Sequence, residues 1–323
     1  MKISVAMTTY NGEKFVEKQL QSLYDQTRQP DEVIIYDDRS TDSTVSIINN
    51  FILEKKIENW YIYINEENRG WRYNFYCAIE KCSGDIIFCS DHDDVWLDKK
   101  IELMVGVINK HPEIKCLSGG KVNIDENGDI IEKKEFSGRL LKIGNRNNFN
   151  GVTLLGCTLC VTREIADLYL KINCRDFGHD AQLCRIAALI DSAYALDSQV
   201  IWYRIHGQNS SGIKKGIPVG SSDRQRRIDS LTQNIKWFDK MLASGCFEGE
   251  VRDAAETARE FTRFRLGFLQ GEKTKYLRSA IKYRKNYLNK RMIWGDFSYK
   301  HNLNVTAGKI YWFFAKLFKK KVS

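Results

Sequence analysis

Through its first hundred residues the chain exchanges two hydrophobic periods. "ISVAMTT" is an unbroken apolar run of strand length, and "EKFVEKQLQSLYDQ" then sets Phe15, Val16, Leu20 and Leu23 at helical spacing. The exchange repeats. "EVIIYDD" reads as a strand and "STVSIINNFILEK" as a helix that Ser40 or Asp42 could cap. "WYIYIN" is a strand, "NFYCAIEKC" a short helix, "DIIFCSD" a strand and "KKIELMVGVINKH" a helix. Strand and helix in strict turn predict crossover units on a mostly parallel, Rossmann-like sheet flanked by helices. The strands are apolar without alternation, as helices on both faces require. A ligand crevice is expected beyond their carboxyl ends.

Beyond residue 115 the pattern changes. "KCLSGGKVNIDENGDIIEKK" predicts a hairpin turning at Asn127-Gly128, and "VTLLGCTLCVT" another buried strand. From Asp223 the periodicity is helical throughout, giving a helical C-terminal extension. "GIKKGIPVGSS", residues 212–222, is the expected boundary between a catalytic domain over 1–212 and a basic helical region over 223–323.

Composition narrows the class. With 323 residues and 43% hydrophobic content the chain can bury one large or two modest cores. No run reaches the roughly 18 apolar residues of a membrane span. The start, "MKISVAMTTYNG", reads as a buried strand and lacks the apolar segment of a signal peptide. The nine cysteines are scattered through apolar stretches, which predicts reduced thiols and a cytoplasmic setting. Cys157 and Cys160 form one CxxC without a second pair, so core packing is expected of them. Charge is divided unevenly. From Lys214 onward 25 basic and 10 acidic residues give +15; the first 213 residues carry 25 and 31, or −6, and together they make the net +9. Two surfaces of opposite sign predict two kinds of partner.

The acids carry the chemistry. Asp37 and Asp38 end the second predicted strand, and Asp91, Asp93 and Asp94 end the fourth. Helix capping explains one acid in each group and leaves the rest unassigned. Carboxylates stacked at one strand end repel one another, and a hard divalent cation, Mg2+ or Mn2+, relieves that repulsion. Mg2+ favours one or two carboxylates plus phosphate oxygens, and no GxGxxG loop is present. A nucleoside diphosphate held through its metal is therefore expected.

Four stretches in order, "VAMTTYNGEKFVEKQLQSLYDQT", "EVIIYDDRSTDST", "GDIIFCSDHDDVW" and "FGHDAQL", resemble the successive signatures of family 2 glycosyltransferases with the GT-A fold, over roughly residues 1–210. The "SDxDDVW" form resembles the subgroup of rhamnosyl and related transferases of bacterial surface polysaccharides. The resemblance implies that Thr8, Tyr10 and Asp38 hold the nucleoside, with Asp38 accepting from a pyrimidine N3–H and Tyr10 offering a ring. It implies Asp91 and Asp93 as the DxD pair that binds donor and metal. Asp180 corresponds to the catalytic base; a helix N-cap before "AQLCRIAALI" is its other reading, and it could be both. Arg72, after "NRG", could reach the diphosphate or be a plain surface arginine. His206, in "WYRIHGQNS", falls where related enzymes place a histidine near diphosphate or metal, and a plain loop histidine is the alternative. Arg204 is a weaker candidate. His92 could be a third metal ligand, but an outward-facing side chain is the expectation. The subgroup's tryptophan after the base is replaced here by Ala181, Gln182 and Leu183, so donor or acceptor preference can differ. The QxxRW motif of processive synthases is absent.

The implied activity is an inverting, metal-dependent, non-processive transfer from a UDP- or dTDP-sugar, dTDP-rhamnose among them. The acceptor would be a glycan or lipid-linked saccharide. Two other classes compete: a nucleotidyltransferase or phosphohydrolase, suggested by "HD" at His179-Asp180, and a non-catalytic nucleotide-sugar-binding scaffold. The first needs more histidine ligands; the second has no use for both the metal acids and the base. At the C-terminus, "KIYWFFAKLFKKK" sets Ile310, Phe313, Phe314 and Leu317 on one helical face beside lysines. That pattern suits an inner-leaflet membrane contact or packing on the body, and it lacks any nucleic-acid-binding signature.

Overall fold

The computed structural model describes residues 1–207 and 221–272, together with Lys282, Tyr283, Asn286 and Asp296. They fall into two compact units. One holds Met1–Asn145 and Val152–Ser211; the other holds Arg146–Gly151 and the chain from Gly212 onward.

The first unit is built on β1 (Ile3–Thr9), all seven residues of which are buried. It pairs in parallel with β2 (Glu32–Asp37) and with the fully buried β4 (Ile86–Ser90), and β2 pairs in parallel with β3 (Trp60–Ile64). Helices α1 (Val16–Tyr24), α2 (Thr44–Glu54) and α3 (Trp71–Lys81) make the crossovers. Their apolar positions, Val16, Leu20 and Leu23 on α1, Ile48 and Phe51 on α2, are buried as their spacing predicts. Burying each such side chain contributes roughly 1.5–3 kcal/mol.

The remaining strands are β5 (Val95–Trp96), β6 (Cys116–Ile124), β7 (Leu140–Lys142), β8 (Leu159–Thr162) and β9 (Ala193–Arg204). The sheet runs β3-β2-β1-β4-β8-β6-β9-β5, with β7 on β9. Here the parallel pattern gives way: β8 is antiparallel to β4 and β6, and β5 and β7 are antiparallel to β9, while β6 and β9 are parallel. The fold is a mixed α/β sheet flanked by helices, with α4 (Lys100–Lys110), α5 (Arg163–Ile172) and α6 (His179–Leu189) completing it.

Two expectations change. In "VTLLGCTLCVT" the strand is Leu159–Thr162 alone; Gly156–Thr158 forms a 3-10 turn, held by Thr158 N–H donating to the Leu155 carbonyl. The hairpin at Asn127-Gly128 is short, with one bridge between Ile124 and Ile130. Its turn is organised by Asp125, whose Oδ1 accepts from the backbone N–H of Asn127, Gly128 and Asp129, while β6 finds its main partner in β9.

The second unit is helical where described, with α7 (Ser221–Ala243) and α8 (Gly249–Gln270). Phe149 packs on Trp237 and Phe238, and Arg265 makes two 2.6 Å bonds to the buried Asp296. No helix among the described residues is long and apolar enough to cross a membrane. The expected boundary over 212–222 falls largely outside the described residues, and the amphipathic tail over 309–321 wholly so.

Candidate active site

The parallel register creates the site. Thr9 lies opposite Asp37, and Met7 opposite Ser90, so the chain leaves three adjacent strands at one edge, delivering Tyr10, Asp38 and Asp91 side by side. A cleft of about 730 Å3 opens there. Its lining includes Thr8, Tyr10, Asp38, Asp91, Asp93, Asp180 and His206, seven of the residues singled out from the sequence.

At the nucleoside end, polar side chains stitch two loops together. Asn11 N–H donates to Ser40 Oγ, Gly12 N–H to Thr44 Oγ1 and Glu13 N–H to Asp42 Oδ2, while Asn11 Oδ1 accepts from Thr41 N–H. This is why "DDRSTDST" is so rich in small oxygens: they satisfy loop amides that no strand can pair. Asp37 does the same work, accepting from Thr9 Oγ1 and from Ser40 N–H and Oγ. It faces the loop as structural glue, and Asp38 faces the cleft. Asp38 Oδ1 accepts from Asn65 Nδ2 and Arg69 N–H, and Oδ2 from Gly70 N–H, where φ is +83°. A glycine carries that backbone without strain, so "NRG" is a cradle for Asp38. One lone pair on Oδ2 remains to accept from a ligand. Tyr10, 45% exposed, lines the same cleft.

The acid loop is pinned from β9. Arg204, 1% exposed, donates through Nε to the Asp93 carbonyl and through a terminal nitrogen to the carbonyls of Asp125 and Glu126, and its backbone N–H donates to Asp94 Oδ1. Arg204 is thus a scaffold for the acids; its side chain is spent on carbonyls. Replacing it with Met leaves three partly buried carbonyls to rely on other partners. Arg204→Met is expected to lower unfolding stability by about 2–4 kcal/mol in chemical denaturation. A loss under about 0.5 kcal/mol would mean that the loop holds itself.

Asp93 and His206 form a pair, Nε2 to Oδ2 at 2.8 Å, with side chains 13% and 6% exposed. Burial opposes ionisation of Asp93, but the His206 hydrogen bond, with help from His92, prevails and holds its carboxyl below the usual range. Asp91 goes the other way. Burial and the charges of Asp93, Asp94 and Asp180 push it well above the usual range. Asp94 is raised to about 7 by burial and Asp93, and its Oδ2 has no hydrogen-bond partner among the described residues. Behind them the buried Lys100 donates to the Cys157 carbonyl at 2.7 Å, and burial lowers its pKa to about 8.

Carboxyls crowded until one resists ionising, beside an unpartnered buried oxygen, fit a hard cation that accepts several oxygen ligands. Asp91 and Asp93 both line the cleft and offer those oxygens. Ligand atoms of Asp91, Asp94 and Cys157 lie within 4.8 Å of one another. Cys157 was expected only to fill core. It is buried, but it also lines the cleft, and its thiol, raised well above its ordinary range by burial and by Asp94, suits packing better than a hard metal.

Asp180 stands in the first turn of α6, whose N-cap residue is Gly178. Its Oδ1 accepts from Ala181 N–H at 2.7 Å. Two other expectations shift. His92 does not face outward: it lines the cleft and packs over Gly12, where an added Cβ would stand 2.2 Å from its ring. Arg72 is absent from the cleft lining; its guanidinium lies 4.4 Å from the Trp71 ring centroid. Trp71 and Phe75, given no role from the sequence, form part of the wall instead, together with His179 of the HD pair. The signal of Trp71 and Phe75 was weak, since aromatic residues on a short helix read as core.

Comparison with known proteins is consistent with this geometry. The family model described as "Glycosyl transferase family 2" matches residues 4–167. The dTDP-rhamnosyl transferase RfbG of Shigella flexneri is 27% identical over 248 residues, 72% of this chain and 81% of that protein. A GalNAc(5)-diNAcBac-PP-undecaprenol beta-1,3-glucosyltransferase of Campylobacter jejuni is 28% identical over 234 residues, 70% of each chain. Among solved structures, S. aureus TarS 1–349 in complex with UDP-GlcNAc superposes with a TM-score of 0.57 at 18% identity, covering 93% of this chain and 81% of that one, which speaks to the fold. The family match spans half the chain and includes both acid groups at the carboxyl ends of β2 and β4, and with it the chain belongs to glycosyl transferase family 2.

Proposed function

We propose that the cleft catalyses inverting, metal-dependent, non-processive transfer of a sugar from a UDP- or dTDP-linked donor, dTDP-rhamnose among the candidates, to a hydroxyl of a bacterial cell-surface glycan precursor. One observation carries this reading: Asp38, the Asp91–Asp93 pair and Asp180 line a single cleft. Tyr10 and Asp38 are assigned to the base of the nucleotide, Asp38 through the free lone pair on Oδ2. Asp91 and Asp93 are the residues to hold a divalent ion, with His206 keeping Asp93 ionised and oriented. When bound there, Mg2+ or Mn2+ supplies charge neutralisation to the departing diphosphate. Asp180 takes the proton of the acceptor hydroxyl as its oxygen attacks the anomeric carbon from the face opposite the leaving group. A single base acting opposite a leaving-group clamp inverts that carbon.

The proposed acceptor is a lipid-linked saccharide, the class named for the Campylobacter relative. An inner-leaflet contact through residues 309–321 would serve it at the cytoplasmic face.

Melting curves of the full chain with a panel of nucleotide sugars test the donor assignment, because a ligand at 100 times its Kd adds about 2.7 kcal/mol of stability. Pyrimidine donors with Mn2+ or Mg2+ should raise the Tm, and GDP-sugars should not. Asp38→Ala should erase that preference while metal-bound diphosphate still docks. A wild-type response indifferent to the base would reject the assignment of Asp38.

A further inference from the structure

His179 lines the cleft wall with polar atoms that have no role so far. It is 3% exposed, and among the described residues neither Nδ1 nor Nε2 has a hydrogen-bond partner. The ring is stacked on Phe75, with centroids 3.6 Å apart and planes at 23°, and meets Trp71 edge-on at 5.8 Å. Its other neighbour is Gly156: a Cβ there would stand 2.6 Å from Nε2. All four residues line the cleft, and Asp180 follows directly in the chain. Phe would stack on Phe75 equally well without burying two unpaired nitrogens. A polar ring in this place is therefore explained by something that enters the cleft.

On the reading of the cleft given above, we propose that His179 is a specificity-determining residue that exchanges hydrogen bonds with a hydroxyl of the transferred sugar. The sugar must lie between the diphosphate held at Asp91 and Asp93 and the base Asp180, and His179 adjoins that base. Gly156, lacking a side chain, leaves the nitrogen edge uncovered by any Cβ, so that a small adjustment of the 3-10 turn admits a hydroxyl. Burial lowers the pKa of the ring to about 4. It is thus neutral near pH 7, with one nitrogen donating and the other accepting, which complements a hydroxyl that can do both. Trp71, in the cleft wall, supplies an apolar ring against which the sugar's C–H groups can rest. A site built this way rejects an analogue lacking the hydroxyl, because its polar atoms then stay unpaired.

The test uses the full chain, wild type and His179→Phe, with bare UDP and dTDP and with the corresponding nucleotide sugars. His179→Phe should keep the wild-type melting point and bind bare nucleoside diphosphate within about twofold, since it touches neither Asp38 nor the acid pair. It should lose roughly 10- to 100-fold in kcat/KM with the sugar donor, and His179→Gln should recover part of the loss. A second readout needs no variant to fold. With five histidines in the chain, ring 15N resonances can be followed in the wild type. One buried neutral ring should shift when nucleotide sugar is added and stay fixed with bare nucleotide. Full activity and unchanged donor preference in His179→Phe, or a ring that ignores the sugar, would overturn the proposal and leave the transferase reading standing. A wild-type chain that binds no nucleoside diphosphate would overturn both.

Discussion

Replacing Asp180 by Asn is expected to abolish transfer while leaving donor binding almost untouched. The amide is isosteric and its oxygen can keep the bond from Ala181 N–H, so α6 should start as before. What disappears is a carboxylate able to take the acceptor's proton, and general-base catalysis of this kind contributes about 10²- to 10⁴-fold. The loss should appear in kcat with every acceptor, and donor affinity measured without acceptor should stay within about twofold of wild type. If Asp180→Asn transfers sugar near the wild-type rate, Asp180 is merely an acid in the first turn of α6. A helix dipole repays such an acid with only about 0.3–1 kcal/mol.

Asp93→Ala should do damage of another kind. Asp93 is paired with His206 at 2.8 Å and sits on the carbonyl that Arg204 grips, so its removal strikes the ligand set, not the proton transfer. Loss of an oxygen ligand should weaken metal-assisted donor binding, and outer-shell changes alone cost about 10- to 100-fold in metal affinity. Donor affinity is therefore expected to fall by at least that factor, with kcat falling alongside it. The contrast with Asp180→Asn is the diagnostic: one variant binds and does not turn over, the other does neither well. Titration calorimetry beside an initial-rate assay separates them. Asp93→Ala with unchanged donor affinity would move the metal assignment away from the loop.

The sequence made the floor of the cleft legible and much of its wall obscure. Parallel strands buried on both faces read as unbroken apolar runs, so the carboxyl ends that carry Tyr10, Asp38 and Asp91 could be located from periodicity alone. Asp37 and Asp38 could not be told apart in that way, because their division of labour depends on partners about 30 residues distant or farther along one loop: Thr9 and Ser40 for one, Arg69 and Gly70 for the other. Arg204 read as a weak ligand candidate because the carbonyls it holds lie about 80 to 111 residues away. The 3-10 turn at Gly156 was read as strand, since its residues are apolar and only the tertiary contact with His179 explains the glycine. For His179 the only local signal is its place beside Asp180 in "HD". Its significance is the absence of partners, which becomes visible only once every neighbour is in place.

The central claim is that clustered carboxylates at the end of β4 bind a nucleotide sugar through a divalent ion. Calorimetric titration of the full chain with a responding nucleotide sugar, in Mn2+ and again in EDTA, measures this directly. The account predicts strong binding with the metal, and in EDTA a fall of at least about tenfold, with Asp93→Ala showing the weak affinity in both buffers. Equal affinity for the wild type with and without metal would contradict it.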